Sequence, residues 1–284
     1  MVGICWYKNS WRVSINAQYI KKTAIGFELD HPLFDAIILK QGAQLIHFQP
    51  KGGSALFWKA DLSTFEAGKA FRGGIPLCWP WFGKAGNPTH GFARIMEWEI
   101  VLHVENEEGV QLVFELHDSA TTRAIWPYAF FLRLEMNLGR EVALTLHINT
   151  EKESTGALHT YFSCDAIHNV YVTGLGYHYT DALQNGKRCE SEDDMLQVNH
   201  ALDRIYTQPQ SNIVFTDTKR RVSVSQKNHS DVVVWNPWKE GAAKLSDMKK
   251  DDYTRMLCVE SARISKPFND DDSLQITIHV EEIS

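Results

Sequence analysis

The run Leu132-Arg133-Leu134-Glu135-Met136-Asn137-Leu138-Gly139-Arg140-Glu141-Val142-Ala143-Leu144-Thr145-Leu146-His147-Ile148-Asn149 decides the fold. Leu132, Leu134, Met136 and Leu138 alternate with Arg133, Glu135 and Asn137. Val142, Leu144, Leu146 and Ile148 alternate with Thr145, His147 and Asn149. Successive strand side chains point to opposite faces, so each half is a strand with one apolar face. Gly139-Arg140 between them, glycine first, predicts a two-residue hairpin of type II′.

The same period recurs on either side. Val110, Leu112, Phe114 and Leu116 enclose Gln111 and Glu115, and Leu274, Ile276, Ile278 and Val280 enclose Gln275, Thr277 and His279. Val232-Val233-Val234-Trp235 and Met256-Leu257-Cys258-Val259 are apolar throughout. Such runs suit strands covered on both faces, in the middle of a sandwich. Asn185-Gly186 and Lys51-Gly52-Gly53 signal turns. No long stretch carries a helical apolar face with caps, and residues 192–202 hold a helical turn or two at most. The expected fold is all-β, a large twisted antiparallel β-sandwich, with residues 1–284 as one domain.

The composition agrees. The 284 residues are 44% hydrophobic and 23% charged, which suits a folded chain with a large core. The net charge of −6 lacks the basic excess of a nucleic-acid binder, so no nucleic-acid partner is expected. Lys219-Arg220-Arg221, the densest basic cluster, reads as a solvated turn. Five cysteines (Cys5, Cys78, Cys164, Cys189 and Cys258) are odd in number and show no C-x-x-C spacing, which predicts free thiols in a reducing compartment. No N-terminal signal pattern and no run of eighteen apolar residues is visible. A cytoplasmic monomer without membrane contact is the expectation.

Four segments depart from plain strand pattern. Arg72-Gly73-Gly74-Ile75-Pro76-Leu77-Cys78-Trp79-Pro80-Trp81-Phe82-Gly83 mixes glycine, proline and tryptophan. Prolines bar a regular central strand, and the tryptophans could offer flat walls to a sugar ring. A packed aromatic corner without ligand fits equally. His90-Gly91-Phe92-Ala93-Arg94 could converge on an anion or on hydroxyls. In Ala157-Leu158-His159-Thr160-Tyr161-Phe162 a strand would put His159 and Tyr161 on one face, Leu158 and Phe162 on the other. An imidazole there can act as a general acid near neutral pH, or be an ordinary core histidine. Met256-Leu257-Cys258-Val259-Glu260 carries an apolar strand straight into a carboxylate. Such a group is paired, at a strand end, or functional. Leu202-Asp203-Arg204-Ile205-Tyr206 and Val234-Trp235-Asn236-Pro237-Trp238 also fit a surface ion pair and a loop plug.

In this order, these segments resemble the hallmark segments of the hexose-6-phosphate mutarotases, or glucose-6-phosphate 1-epimerases, within the wider aldose 1-epimerase family. The resemblance spans roughly residues 30 to 280, and residues 73–83 are its most specific part. It implies a galactose mutarotase-like supersandwich and anomer interconversion of a hexose 6-phosphate, with no cofactor and no metal. It implies that His159 is the acid that protonates the ring oxygen and Glu260 the base that takes the anomeric hydroxyl proton. It also implies substrate binding by Arg72, His90, Arg94 and Asp203, the arginines on phosphate and the other two on oxygens of the ring. An imidazolium and a carboxylate, each favouring the other's charge, would suit those roles. A free-aldose mutarotase would have no use for two phosphate-directed arginines. A non-catalytic sugar-binding sandwich would not need His159 and Glu260.

Overall fold

A computed structural model describes residues 18–283, so Cys5 lies outside the described residues. The opening hairpin is present. Phe130–Leu138 pairs antiparallel with Val142–Thr150, Leu134 opposite Leu146 and Met136 opposite Leu144. Burial alternates along both strands. The turn differs from expectation. Leu138 pairs directly with Val142, so the loop is residues 139–141, and Gly139 is not among the positive-φ glycines. Glycine is needed there for room: a Cβ would stand 2.7 Å from the Glu108 carbonyl oxygen of the adjacent turn.

This hairpin lies in a nine-stranded antiparallel sheet. From one edge the order is Leu196–Gln197, Tyr171–Thr173, Asn212–Thr216, Arg220–Lys227, Asp272–Glu282, Val142–Thr150, Phe130–Leu138, Gly109–His117 and Glu99–Asn106. An eight-stranded sheet packs against it. Its order is Lys187–Glu190, His178–Asp181, Leu202–Tyr206, Asp231–Asn236, Met256–Phe268, Ser154–Leu158 and Leu77–Cys78, with Tyr161–Ser163 also paired to Met256–Phe268. Ile20–Lys22, Gly26–His31, Phe34–Leu39 and Gln44–Pro50 form a four-stranded meander. The all-β antiparallel sandwich expected from the alternation is the architecture found.

Leu144, Leu146, Ile276 and Val224 from one sheet meet Leu158, Phe162, Val232, Val234, Leu257 and Val259 from the other in one continuous core. Each such side chain contributes roughly 1.5–3 kcal/mol on burial. Within it the Ser261 hydroxyl donates to Gln226 Oε1 at 2.7 Å, both residues buried.

The Met256–Phe268 strand is covered on both faces. Leu257 and Val259 enter the core between the sheets. Met256 and Cys258 face the other way, under Trp58, Ala60, Tyr161, Ala242 and Met248. Glu260 follows Cys258 by two and so shares its face.

Two local readings are corrected. Residues 192–202 supply the short strand Leu196–Gln197 instead of a helical turn. The α-helices among the described residues are Ala120–Ile125 and Trp238–Ala242. Arg220 is buried, not solvated. Its guanidinium lies 3.7 Å from Asp217 and donates to the carbonyls of Ala55 and Ser163, which satisfies a charge that burial would otherwise penalise. Among the described residues no helix is long and apolar enough to cross a membrane.

Candidate active site

The site is built on the face of the eight-stranded sheet turned away from the core. Glu260 sits within Met256–Phe268, opposite Val233, and not at a strand end. His159 lies in the break between Ser154–Leu158 and Tyr161–Ser163. That break is pinned by its backbone: His159 N–H donates to the Pro76 carbonyl and Tyr161 N–H to that of Gly74. The loop of residues 72–83 therefore positions the histidine. Gly74 makes this possible, since a Cβ on it would stand 2.1 Å from the Leu45 carbonyl oxygen.

His159 Nε2 lies 3.3 Å from Glu260 Oε1. Both residues are nearly sealed from solvent, at 6% and 1% exposure. His159 Nδ1 and Glu260 Oε2 have no hydrogen-bond partner. His159 stacks on Tyr161, with ring centroids 4.7 Å apart, and the His90 ring stands edge-on to it at 5.5 Å.

Burial opposes the expected pairing of an imidazolium with a carboxylate. Burial holds His159 well below the usual imidazole value, helped by the charges around His90, Arg94 and Arg72. Burial and nearby Asp203 push Glu260 well above the usual carboxylate range, against the pull of Arg94. Both groups are driven toward their neutral forms. One proton on the pair is the arrangement that burial favours.

The four other expected residues are gathered around this pair. Arg72 Nε donates to Asp247 Oδ2 at 2.8 Å and Nη1 to the Tyr161 hydroxyl at 3.3 Å, so part of its donor fork is already engaged. Arg94 Nη2 donates to the Thr89 carbonyl, while its buried Nε has no partner. His90 adopts φ 64°, and burial together with Arg94 and Arg72 holds it down to about 4. Asp203 is half-buried, and burial and Asp181 raise its carboxyl.

Trp79 of the 72–83 loop is not a wall of a sugar site. Trp79 is wholly buried. It packs edge-on to Phe92 and Trp126 and donates from Nε1 to Ser154 Oγ at 2.9 Å. The half-buried Trp235, edge-on to Tyr161 at 6.2 Å, and Trp58, stacked on Tyr161 at 5.8 Å, are on the site's face. Asp247, joined to Arg72 across 175 positions, was missed altogether. No local pattern marks it.

A sequence model of the family described as Aldose 1-epimerase matches residues 27–280. The chain belongs to the aldose 1-epimerase family. Several relatives carry the name "Putative glucose-6-phosphate 1-epimerase". One, from Salmonella typhimurium, is 36% identical over 244 residues, covering 84% of this chain and 83% of its own. Another, from Escherichia coli, is 37% identical over 243 residues, with 84% and 83% covered. The crystal structure of a "putative mutarotase (YeaD)" from Salmonella typhimurium superposes with a TM-score of 0.91 at 33% identity, over 94% of this chain and 95% of that one. The aldose 1-epimerase family accounts for the sandwich.

Proposed function

We propose that this epimerase interconverts the α and β anomers of glucose 6-phosphate or a related aldohexose 6-phosphate. The observation that carries the reading is the His159–Glu260 pair, 3.3 Å apart, buried, and set among two arginines. The names of the relatives support the phosphorylated substrate. Four free cysteines among the described residues suit a reducing compartment such as the cytoplasm.

In this reading Glu260 removes the proton of the anomeric hydroxyl. The C1–O1 bond becomes a carbonyl, the C1–O5 bond breaks, and O5 takes a proton from His159. Rotation about C1–C2 presents the other carbonyl face. Closure then returns one proton to His159 and the other to O1. Ring opening converts the charged pair, carboxylate with imidazolium, into the neutral one. Burial favours the neutral pair, so it favours the open-chain stage relative to the closed ring. Arg72 and Arg94 hold the phosphate through charge-assisted hydrogen bonds, and His90 and Asp203 hold oxygens of the sugar.

Freshly dissolved α-glucose 6-phosphate, followed by proton exchange NMR with free glucose and galactose alongside, tests the proposal. Fast exchange on the phosphate ester, lost in Glu260→Gln, supports it. Exchange on free sugars alone would assign a free-aldose mutarotase. No acceleration on any sugar would leave a sugar-binding sandwich.

A further inference from the structure

The acid–base chemistry leaves one buried side chain at the site unused. Cys258 is fully buried and points from the same strand face as Glu260, two residues away. Its strand neighbours are Tyr161 on one side and Trp235 on the other. One ligand atom each from His159, Cys258 and Glu260 lies within 4.8 Å of the other two. Among the described residues this is the one such trio of histidine, cysteine and acidic side chains.

We propose that His159, Cys258 and Glu260 together bind a single zinc-class cation, which closes the site to sugar by occupying both members of the catalytic pair. The inhibition rests on the mutarotase reading; the binding does not.

Three features carry the proposal. The first is donor chemistry. Imidazole nitrogen, thiolate sulfur and carboxylate oxygen are the zinc donor types, and three protein ligands leave a fourth position open. Hard cations such as magnesium want an octahedron of oxygens, which this trio does not offer. The second is geometry. Zinc bonds of about 2.0–2.3 Å in a tetrahedron require ligand atoms about 3.3–3.8 Å apart. The His159–Glu260 edge already measures 3.3 Å, and the sulfur lies within 4.8 Å of both, so closing the site needs a contraction of about 1 Å at most. The third is charge. A divalent cation with one thiolate, one carboxylate and one neutral imidazole has no net charge, which a sealed site tolerates. Binding expels the proton of the Cys258 thiol and the proton of the catalytic pair, so it strengthens as pH rises.

Cobalt(II) is the spectroscopic probe. Added to the full-length protein after chelator treatment, it is expected to give a thiolate-to-cobalt absorption band that saturates at one equivalent. The band should vanish in Cys258→Ala and in His159→Gln and persist in Cys189→Ser. Zinc, in parallel, should slow anomer exchange reversibly, with chelator restoring the rate. Each variant is referred to its own metal-free rate, and Cys258→Ala should need at least ~10-fold more zinc for the same inhibition. Absence of the band in the wild type, its survival in Cys258→Ala, or equal zinc sensitivity of the two proteins would overturn the proposal. If Cys258→Ala does not fold, the band in wild type against His159→Gln decides. A protein inactive on every sugar still answers through the cobalt band, so the two readings fail separately.

Discussion

The imidazole of His159 lies face to face with the phenol ring of Tyr161, centroids 4.7 Å apart and planes inclined by 10°. The Tyr161 hydroxyl accepts a hydrogen bond from Arg72, and Arg72 donates to Asp247. His159 and Arg72 are thus joined through one aromatic side chain. Burial keeps the Tyr161 hydroxyl protonated far beyond neutral pH, so it serves as a packing and hydrogen-bonding plate.

Glu260→Gln should abolish turnover while leaving the fold intact. Glutamine matches the shape of the carboxylate but cannot take a proton. General acid–base groups contribute about 10²–10⁴-fold, and a drop of that size in exchange rate, with unchanged circular dichroism, is expected. A variant that keeps more than about a tenth of the wild-type rate would remove Glu260 from the chemistry.

The same substitution should change how stability depends on pH. The Glu260 carboxyl is raised in the folded state from an ordinary 4.5. Above that value the folded protein keeps a proton that the unfolded chain releases, so stability falls as pH rises toward the raised value. Glu260→Gln removes this loss. The stability of the variant relative to wild type should therefore grow with pH, by up to ~1.4 kcal/mol per pH unit. Urea unfolding at several pH values and fixed ionic strength measures it; a flat difference would contradict the buried carboxyl.

On the acid side histidines take over. His159 and His90 are both held below the ordinary 6.5, His90 to about 4. Below 6.5 the unfolded chain binds protons that the folded protein refuses, so stability falls as pH drops through that window. His90→Gln should flatten the decline between pH 6.5 and about 4. Thermal midpoints of the two proteins across that range, if parallel, would exclude this role for His90.

Arg94→Ala should act on substrate choice. Losing a charge-assisted contact to phosphate costs about 1.5–3 kcal/mol, or roughly 10–100-fold in KM for glucose 6-phosphate. Any activity on free glucose should scarcely change. Equal losses on both sugars, measured by exchange NMR over a concentration series, would show that Arg94 is not a phosphate ligand.

Gly91→Ala should cost both stability and turnover. Gly91 has φ 71°, and a Cβ there would stand 2.0 Å from the Trp79 carbonyl oxygen. That same oxygen accepts the N–H groups of Phe92 and Ala93, so the loop carrying His90 and Arg94 hangs from it. A loss of about 2 kcal/mol or more is expected from strain and clash together. A variant with wild-type unfolding midpoint would mean that the loop can shift freely.

The fold was legible because alternation is a local signal. Leu132 to Leu138 and Val142 to Ile148 each specify a face without reference to any distant residue, and their burial follows that alternation. The doubly apolar run at Met256 likewise marked a central strand. Turn chemistry was less legible. Gly139 looked like a positive-φ residue, but it is there because the Glu108 carbonyl crowds it, a neighbour thirty-one positions away along the chain.

The sequence by itself determined the sandwich and the side chains it offers to a site: an imidazole, a carboxylate and two guanidiniums in unusual surroundings. Tertiary structure alone decided their states and partners. It sealed Trp79 into the core, bound Arg72 to Asp247 and set Cys258 beside His159 and Glu260. It also removed water from His159 and Glu260, which turns an expected ion pair toward neutrality. The reason is physical. Strand periodicity is written residue by residue, whereas protonation and pairing depend on solvent exclusion and on charges brought together by packing.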